Sequence, residues 1–194
     1  MSENWPVFIE SGDLIIRPLR MRDRGRWLKV RSKNVNWLGE WEATLPKIAL
    51  ENTPSPLPSF YDMVLWHRRE GRAERSFSLA IWYQGRNGRE LIGQITLGGV
   101  TYGAMRGGHI GYWIDEEYAN LGFTTQAVMA VTDFAFESLS LHRLEINIRP
   151  ENAPSIKVAE KAGYLLEGRR NRYLHIDGQW RDHLCFVKEN TQVN

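Results

Sequence analysis

The residues best placed to do chemistry are Leu121-Gly122-Phe123-Thr124-Thr125, and the chemistry they suit is the binding of an anion. Ahead of them, residues 109–114 alternate as a strand does, with Ile110, Tyr112 and Ile114 on one face. Behind them, Ala127, Val128, Val131, Phe134 and Ala135 recur at helical spacing. A strand that turns through a glycine into a helix gathers several backbone N–H groups at one point. The first-turn amides of a helix have no internal partners, and the helix dipole adds roughly half a positive charge there. A phosphate or pyrophosphate is the natural guest. A glycine in such a turn also has a purely conformational use, because glycine enters the left-handed region without strain.

A second stretch, Asn152-Ala153-Pro154-Ser155, opens another helix that closes at Lys161-Ala162-Gly163-Tyr164. Asparagine is a good N-cap, proline is tolerated in a first turn, and glycine is a good C′ residue. Taken together, the two stretches resemble the GNAT superfamily of N-acetyltransferases, which use acetyl-CoA. The similarity covers most of residues 13–189 in element order. The opening Leu14-Ile15-Ile16-Arg17-Pro18-Leu19 is similar to that of the RimJ/RimL-like branch, which modifies ribosomal proteins.

The resemblance implies a division of labour. Backbone amides of Leu121, Gly122, Phe123, Thr124 and Thr125 would cradle the CoA pyrophosphate. The helix led by Asn152 would lie beside the pantetheine arm. Backbone atoms near Trp113 and Ile114 would pair with that arm and polarise the thioester. Ser155, three residues after Asn152 as in the RimJ/RimL-like branch, would stabilise the departing sulfur. A serine hydroxyl is a poor acid by pKa, so its part would be a hydrogen bond. Two departures stand out. Ala119 and Thr124 occupy places where the family's cradle carries Gln or Arg and Gly or Ala. Ala159 occupies the place where many members have a tyrosine acid, seven residues after the asparagine.

Acetyl transfer to an amine also needs the amine held and deprotonated. Glu40 and Glu42, set among Trp37 and Trp41, suit an amine-bearing acceptor through ion-pair and cation–π contacts. Glu145, on the strand that follows the first helix, is the alternative base; Glu116, Glu117 or a water chain are others. No cysteine pair or histidine–carboxylate cluster suggests a metal.

The elements that must position these groups follow from pattern. A first strand is expected over 13–19, a helix from Arg20 to about Asn34, and mostly loop over 35–60, where Pro46, Pro54, Pro56 and Pro58 fall. A helix capped by Ser59 over 59–70 precedes an antiparallel meander of strands at 76–83, 90–97 and 109–114, its first turn at Gly85-Arg86-Asn87-Gly88. After a helix from Gly122 to about Ser138, a strand at 141–148 and the Asn152 helix, a hairpin joins 164–175 to 179–188 through Asp177-Gly178. In that hairpin His175 should face position 180, and His183 position 172. The expected fold is α+β, a GNAT-like, mixed and mostly antiparallel sheet of about seven strands with about four helices on both faces. Residues 1–194 read as a single acetyltransferase domain.

Composition bounds the rest. The chain is 42% apolar and 25% charged, an ordinary globular balance. Its net charge of +2 does not by itself argue for nucleic acid. Arg17, Arg20, Arg22, Arg24, Arg26, Lys29 and Arg31 nevertheless form a dense basic stretch. It reads either as a solvated helix face or as a landing site for CoA phosphates or ribosomal RNA. The single cysteine, Cys185, excludes an intramolecular disulfide and fits a reducing compartment. No apolar run approaches the roughly 20 residues of a membrane span, and residues 1–6 lack the features of a secretory signal. A cytoplasmic enzyme is expected, acetylating the N-terminal α-amine of a ribosomal protein; the oligomeric state stays open. The alternatives are a small-molecule amine acetyltransferase, a silent acyl-CoA-binding module, and a ribosome- or RNA-binding protein.

Overall fold

Strands form where the apolar residues alternate or run together, and they join into one eight-stranded sheet in this computed structural model. The structure describes residues 4–47, 58–86 and 88–193. The strands are β1 (Ile9–Ser11), β2 (Leu14–Arg17), β3 (Phe77–Gly85), β4 (Gly88–Thr101), β5 (Gly107–Ile114), β6 (Arg143–Ile148), β7 (Leu165–Ile176) and β8 (Gln179–Glu189). Their spatial order is β1-β2-β3-β4-β5-β6-β8-β7, and every neighbouring pair is antiparallel except β5 with β6. The count exceeds the expected seven because β2 has a partner ahead of it. Gly12, at φ 49°, turns the chain so that Ser11 lies opposite Leu14. Pro18, which has no N–H to donate, follows the end of β2.

The helices are α1 (Arg24–Lys33), α2 (Val35–Gly39), α3 (Phe60–Arg72), α4 (Phe123–Asp133) and α5 (Ala153–Lys161). That makes five among the described residues rather than four, because α2 forms in a stretch expected to be loop. The proline-rich part of that stretch, residues 48–57, lies outside the described residues, as does Asn87 of the expected turn. Helix α1 begins later than expected, after a short 3-10 turn at Met21–Asp23. Helix α4 widens into a π-helical turn over Phe134–Ser138. At α3, Ser59 caps Asp62 N–H while the Asp62 carboxylate accepts from Ser59 N–H, a reciprocal box.

Consecutive residues of β2 explain why helices cover both faces. Leu14 and Ile16 join a core with Leu79, Ile95, Val128 and Val131, under α4 and α5. Ile15 points the other way, into a second core with Trp82, Val30 and Val64, under α1 and α3. Along that second face Asp23 and Arg17 form a buried ion pair, 2.8 Å apart. Burial alone would raise the Asp23 carboxyl, but hydrogen bonds from Arg17 and from Arg20 N–H hold it below its usual range.

Asp177 and Gly178, at φ 47° and 73°, make the β7–β8 turn, the left-handed pair that a two-residue hairpin needs. His175 lies opposite Trp180 as expected, but His183 faces Arg170 rather than position 172. The register breaks between Arg170 and Leu174, where Arg172 takes φ 50°. Cys185 is buried in β8. No helix among the described residues is long and apolar enough to cross a membrane.

One irregularity positions the site. The parallel pairing of β5 with β6 covers only Gly107–His109 against Arg143–Glu145. Strand β5 nevertheless runs on to Ile114 and β6 to Ile148, so the two ends part.

Candidate active site

Beside the free end of β5 lies a cleft of about 590 Å³, bounded by β5, α2, the start of α4 and one face of α5. Gly122, Thr124, Thr125, Asn152 and Ser155 line it, as do Trp113 and Ile114 and both Glu40 and Glu42. Most of the residues singled out in the sequence thus meet in one place, from segments far apart in the chain.

Gly122 caps α4 in the left-handed conformation, φ 88° and ψ −11°. The first helical bond runs from Gln126 N–H to Gly122 O, 3.0 Å, so the amides of Phe123, Thr124 and Thr125 precede the helical ladder. A Cβ on Gly122 would meet nothing within 4 Å, so the approach to these donors is open. Lys157 and Lys161, one turn apart on α5, line the same cleft and bring positive charge to the cradle. Donors, helix dipole and two ammonium groups fit a phosphate or pyrophosphate. Two expected cradle residues do less with their side chains. Leu121 is 61% exposed, and the Phe123 ring packs 4.9 Å from Tyr83, away from the cleft. Neither side chain lines the cleft, so these two would serve through their backbone.

The edge of β5 needs a correction. Asp115 N–H donates to Ile92 O on β4, 2.7 Å, so Trp113, two residues before it, also turns its backbone groups toward β4. The open side carries those of Tyr112 and Ile114. Trp113 contributes its ring to the cleft instead, with the Arg31 guanidinium 5.1 Å above it. The Ile114 carbonyl already accepts from Trp37 Nε1, 3.1 Å, which pins α2 to the end of β5.

Asn152 acts as N-cap of α5, its Oδ1 accepting from Ser155 N–H at 3.1 Å. Tyr112, unremarked in the sequence beyond its strand face, donates its hydroxyl to Ser155 O at 3.2 Å and ties α5 to β5. Burial pushes that hydroxyl well above the usual phenol range, with the Ser155 side chain opposing, so it stays protonated. Ser155, whose side chain also lies within reach of the Tyr112 hydroxyl, lines the cleft wall.

The three carboxylates separate. Glu42 pairs with Arg31, while the Glu40 carboxylate, exposed at the cleft, has no ion-pair partner among the described residues. The Glu40 carbonyl accepts from Arg149 at 2.6 Å, and Arg149 stacks 5.0 Å over Trp41. Glu145 does not line the cleft. It lies between Arg143 and Arg170, 3.2 Å and 2.7 Å away. Burial would raise its pKa, but those two guanidinium groups hold it below the usual carboxylate range, which makes it a poor base.

The wall that carries Glu40 and Glu42 is held from outside by the β7–β8 turn. Thr44 N–H donates to His175 O (2.9 Å), Asp177 N–H to Glu42 O (3.1 Å), and Gly178 N–H to Thr44 Oγ1 (3.0 Å). Sequence reasoning missed this clasp, and it missed Arg31, Lys157 and Lys161 as cleft residues. For the lysines a signal existed, since both fall four residues apart on the helix that Asn152 caps.

The acetyltransferase (GNAT) domain family matches residues 13–165 of this chain. Among solved structures, Mycobacterium smegmatis RimJ in complex with CoA-disulfide is 33% identical with a TM-score of 0.85, covering 98% of this chain and 90% of that one. The Escherichia coli enzyme named [ribosomal protein uS5]-alanine N-acetyltransferase is 26% identical over 92% of this chain and 88% of its own length. The probable N-acetyltransferase YjcK of Bacillus subtilis is 41% identical over 93 residues, about half of each chain. The open cradle, the parted strands and these similarities agree: the chain belongs to the GNAT acetyltransferase family, as an acetyl-CoA-dependent N-acetyltransferase.

Proposed function

We propose that the acceptor is the N-terminal α-amine of a protein, a ribosomal protein in the first instance, acetylated in the cytoplasm. The observation that carries this reading is the exposed Glu40 carboxylate, without an ion-pair partner among the described residues, beside Trp41 at the cleft that also takes in Gly122 and Thr125. A carboxylate and an indole at an open cleft mouth suit an ammonium group at the end of a chain. Relatives named for the uS5 alanine terminus and for a ribosomal-protein serine support the choice of substrate class.

Acetyl-CoA supplies an acetyl group already activated as a thioester. The residues of this chain bind, orient and handle protons around it. The amides of Phe123, Thr124 and Thr125, with Lys157 and Lys161, hold the phosphates. The backbone edge at Tyr112 and Ile114 aligns the arm along β5 and offers a donor toward the carbonyl. Glu40 draws in the ammonium form of the acceptor, and water at the open mouth takes its proton. Ser155 Oγ keeps its proton and donates a hydrogen bond where negative charge gathers on the sulfur.

The direct experiment incubates the protein with acetyl-CoA and a panel of N-terminal peptides of ribosomal proteins, with polyamines and internal-lysine peptides alongside. Mass spectrometry should find one acetyl group per peptide, on the α-amine. Acetylation of polyamines or lysines in preference would replace this acceptor with another. In the same assay Ser155→Ala should lower kcat about 10- to 100-fold, the worth of one hydrogen bond to a charged group. Its CoA affinity should stay within about twofold, since Ser155 acts at the sulfur and not at the phosphates. Equal turnover would reduce Ser155 to a helix residue.

A further inference from the structure

We infer that an arginine-lined track on the α1 and α3 side of the sheet is a binding surface for single-stranded RNA. The inference deepens the ribosomal-substrate reading and rests on it for the choice of RNA among polyanions. Over the whole chain, 25 basic residues nearly balance 23 acidic ones. Along this track they do not. A cavity of about 800 Å³, larger than the catalytic cleft, and a neighbour of about 450 Å³ share Arg17 and Arg22 in their walls. Together the two are lined by seven arginines and a single carboxylate, Asp23. That carboxylate is 1% exposed and already spent on Arg17.

Arg20, Arg22, Arg26, Arg68, Arg72 and Arg89 are exposed and form no ion pair among the described residues. Six like charges repel one another and persist at one surface only at a cost in stability, which a polyanion would repay. The floor beneath them is apolar, built from Val7, Pro18, Leu19 and Val64, and at its edge the ring of Phe8 is 55% exposed. Guanidinium groups that track a phosphate backbone above a flat ring on which a base can stack are the two parts of a single-strand site. An acidic protein segment would satisfy the charge and leave the ring unused.

The track also leads somewhere. Arg26 lines the smaller cavity and Arg31, five residues on along α1, lines the catalytic cleft. At about 1.5 Å per residue the two are roughly 8 Å apart along the helix axis. RNA held on the track would bring an attached protein terminus to the mouth of the cleft.

Fluorescence anisotropy of the intact protein with a labelled, mixed-sequence 12-nucleotide RNA tests this between 50 and 200 mM KCl. With about five phosphates contacted, log K should fall against log salt with a slope of about −3.5. That slope amounts to about 100-fold across the range. Arg22→Glu/Arg68→Glu/Arg72→Glu should weaken binding at least tenfold. Phe8→Ala should weaken it about fivefold without changing the slope, because stacking carries no charge. Both variants should acetylate peptides at the wild-type rate. Unchanged RNA affinity in the triple variant, or tighter binding to polyglutamate of equal charge, would overturn the RNA surface. RNA binding of this kind in a protein that acetylates no peptide would overturn the acceptor reading alone.

Discussion

Gly122→Glu is expected to lower the affinity for both CoA and acetyl-CoA by at least 100-fold, about 2.8 kcal/mol, in a calorimetric titration. Two effects add. The residue sits at φ 88°, where a side chain costs about 1–2 kcal/mol of backbone strain. The carboxylate would project into the open space before the amides of Phe123, Thr124 and Thr125, the site proposed for the phosphates. Gly122→Ala separates the two, since it carries the strain without the charge, and its affinity should fall only a few-fold. Circular dichroism should show the sheet intact in both, because nothing lies within 4 Å of the new Cβ. If Gly122→Glu bound CoA like the wild type, the phosphates would have to be held elsewhere.

Asp23→Ala should destabilise the protein by about 3–5 kcal/mol in urea unfolding, the usual result of stripping one partner from a buried ion pair. The Arg17 side chain is 7% exposed, packs 4.4 Å over Trp82 and would keep only the Pro18 carbonyl as acceptor. The same deletion frees Arg20 N–H, which Asp23 accepts at 2.8 Å at the head of the 3-10 turn. The acid dependence has a definite sign. The folded-state pKa of Asp23 lies below its unfolded value, so its stabilisation is complete above roughly pH 4, the pKa of an unperturbed Asp. It fades as the pH falls through the folded value. The gap between wild type and Asp23→Ala should therefore narrow in acid. A gap that stayed constant down to pH 2 would mean that the pair contributes nothing electrostatic.

The strand-to-helix turn at Gly122 was legible in the sequence because it depends on backbone and local order: a strand, a glycine, then helical spacing over 123–135. The same holds for the Asn152 cap and the Asp177-Gly178 turn, each a matter of a few neighbouring residues. What escaped was decided across the sheet. Trp113 and Ile114 look equivalent in a strand, and only the pairing of Asp115 with Ile92 shows which of them turns its amide to the cleft. Glu145 and Glu40 are both plain carboxylates in sequence. Arg143 and Arg170, brought together by the β6-β8-β7 order, occupy one and leave the other free. Helix α2 was hidden because its five residues are too few for a periodic signal and are held by tertiary contacts, among them the Trp37–Ile114 bond, the Arg149–Glu40 carbonyl bond and the burial of Leu38.

The clasp between Thr44 and the β7–β8 turn joins segments 131 residues apart. A cleft wall built this way cannot be exchanged on its own. A chimera that grafted residues 35–47 from a relative with another substrate would leave the graft facing a foreign hairpin, without the hydroxyl or the carbonyl its new neighbours expect. Redesign of either piece therefore has to transplant both.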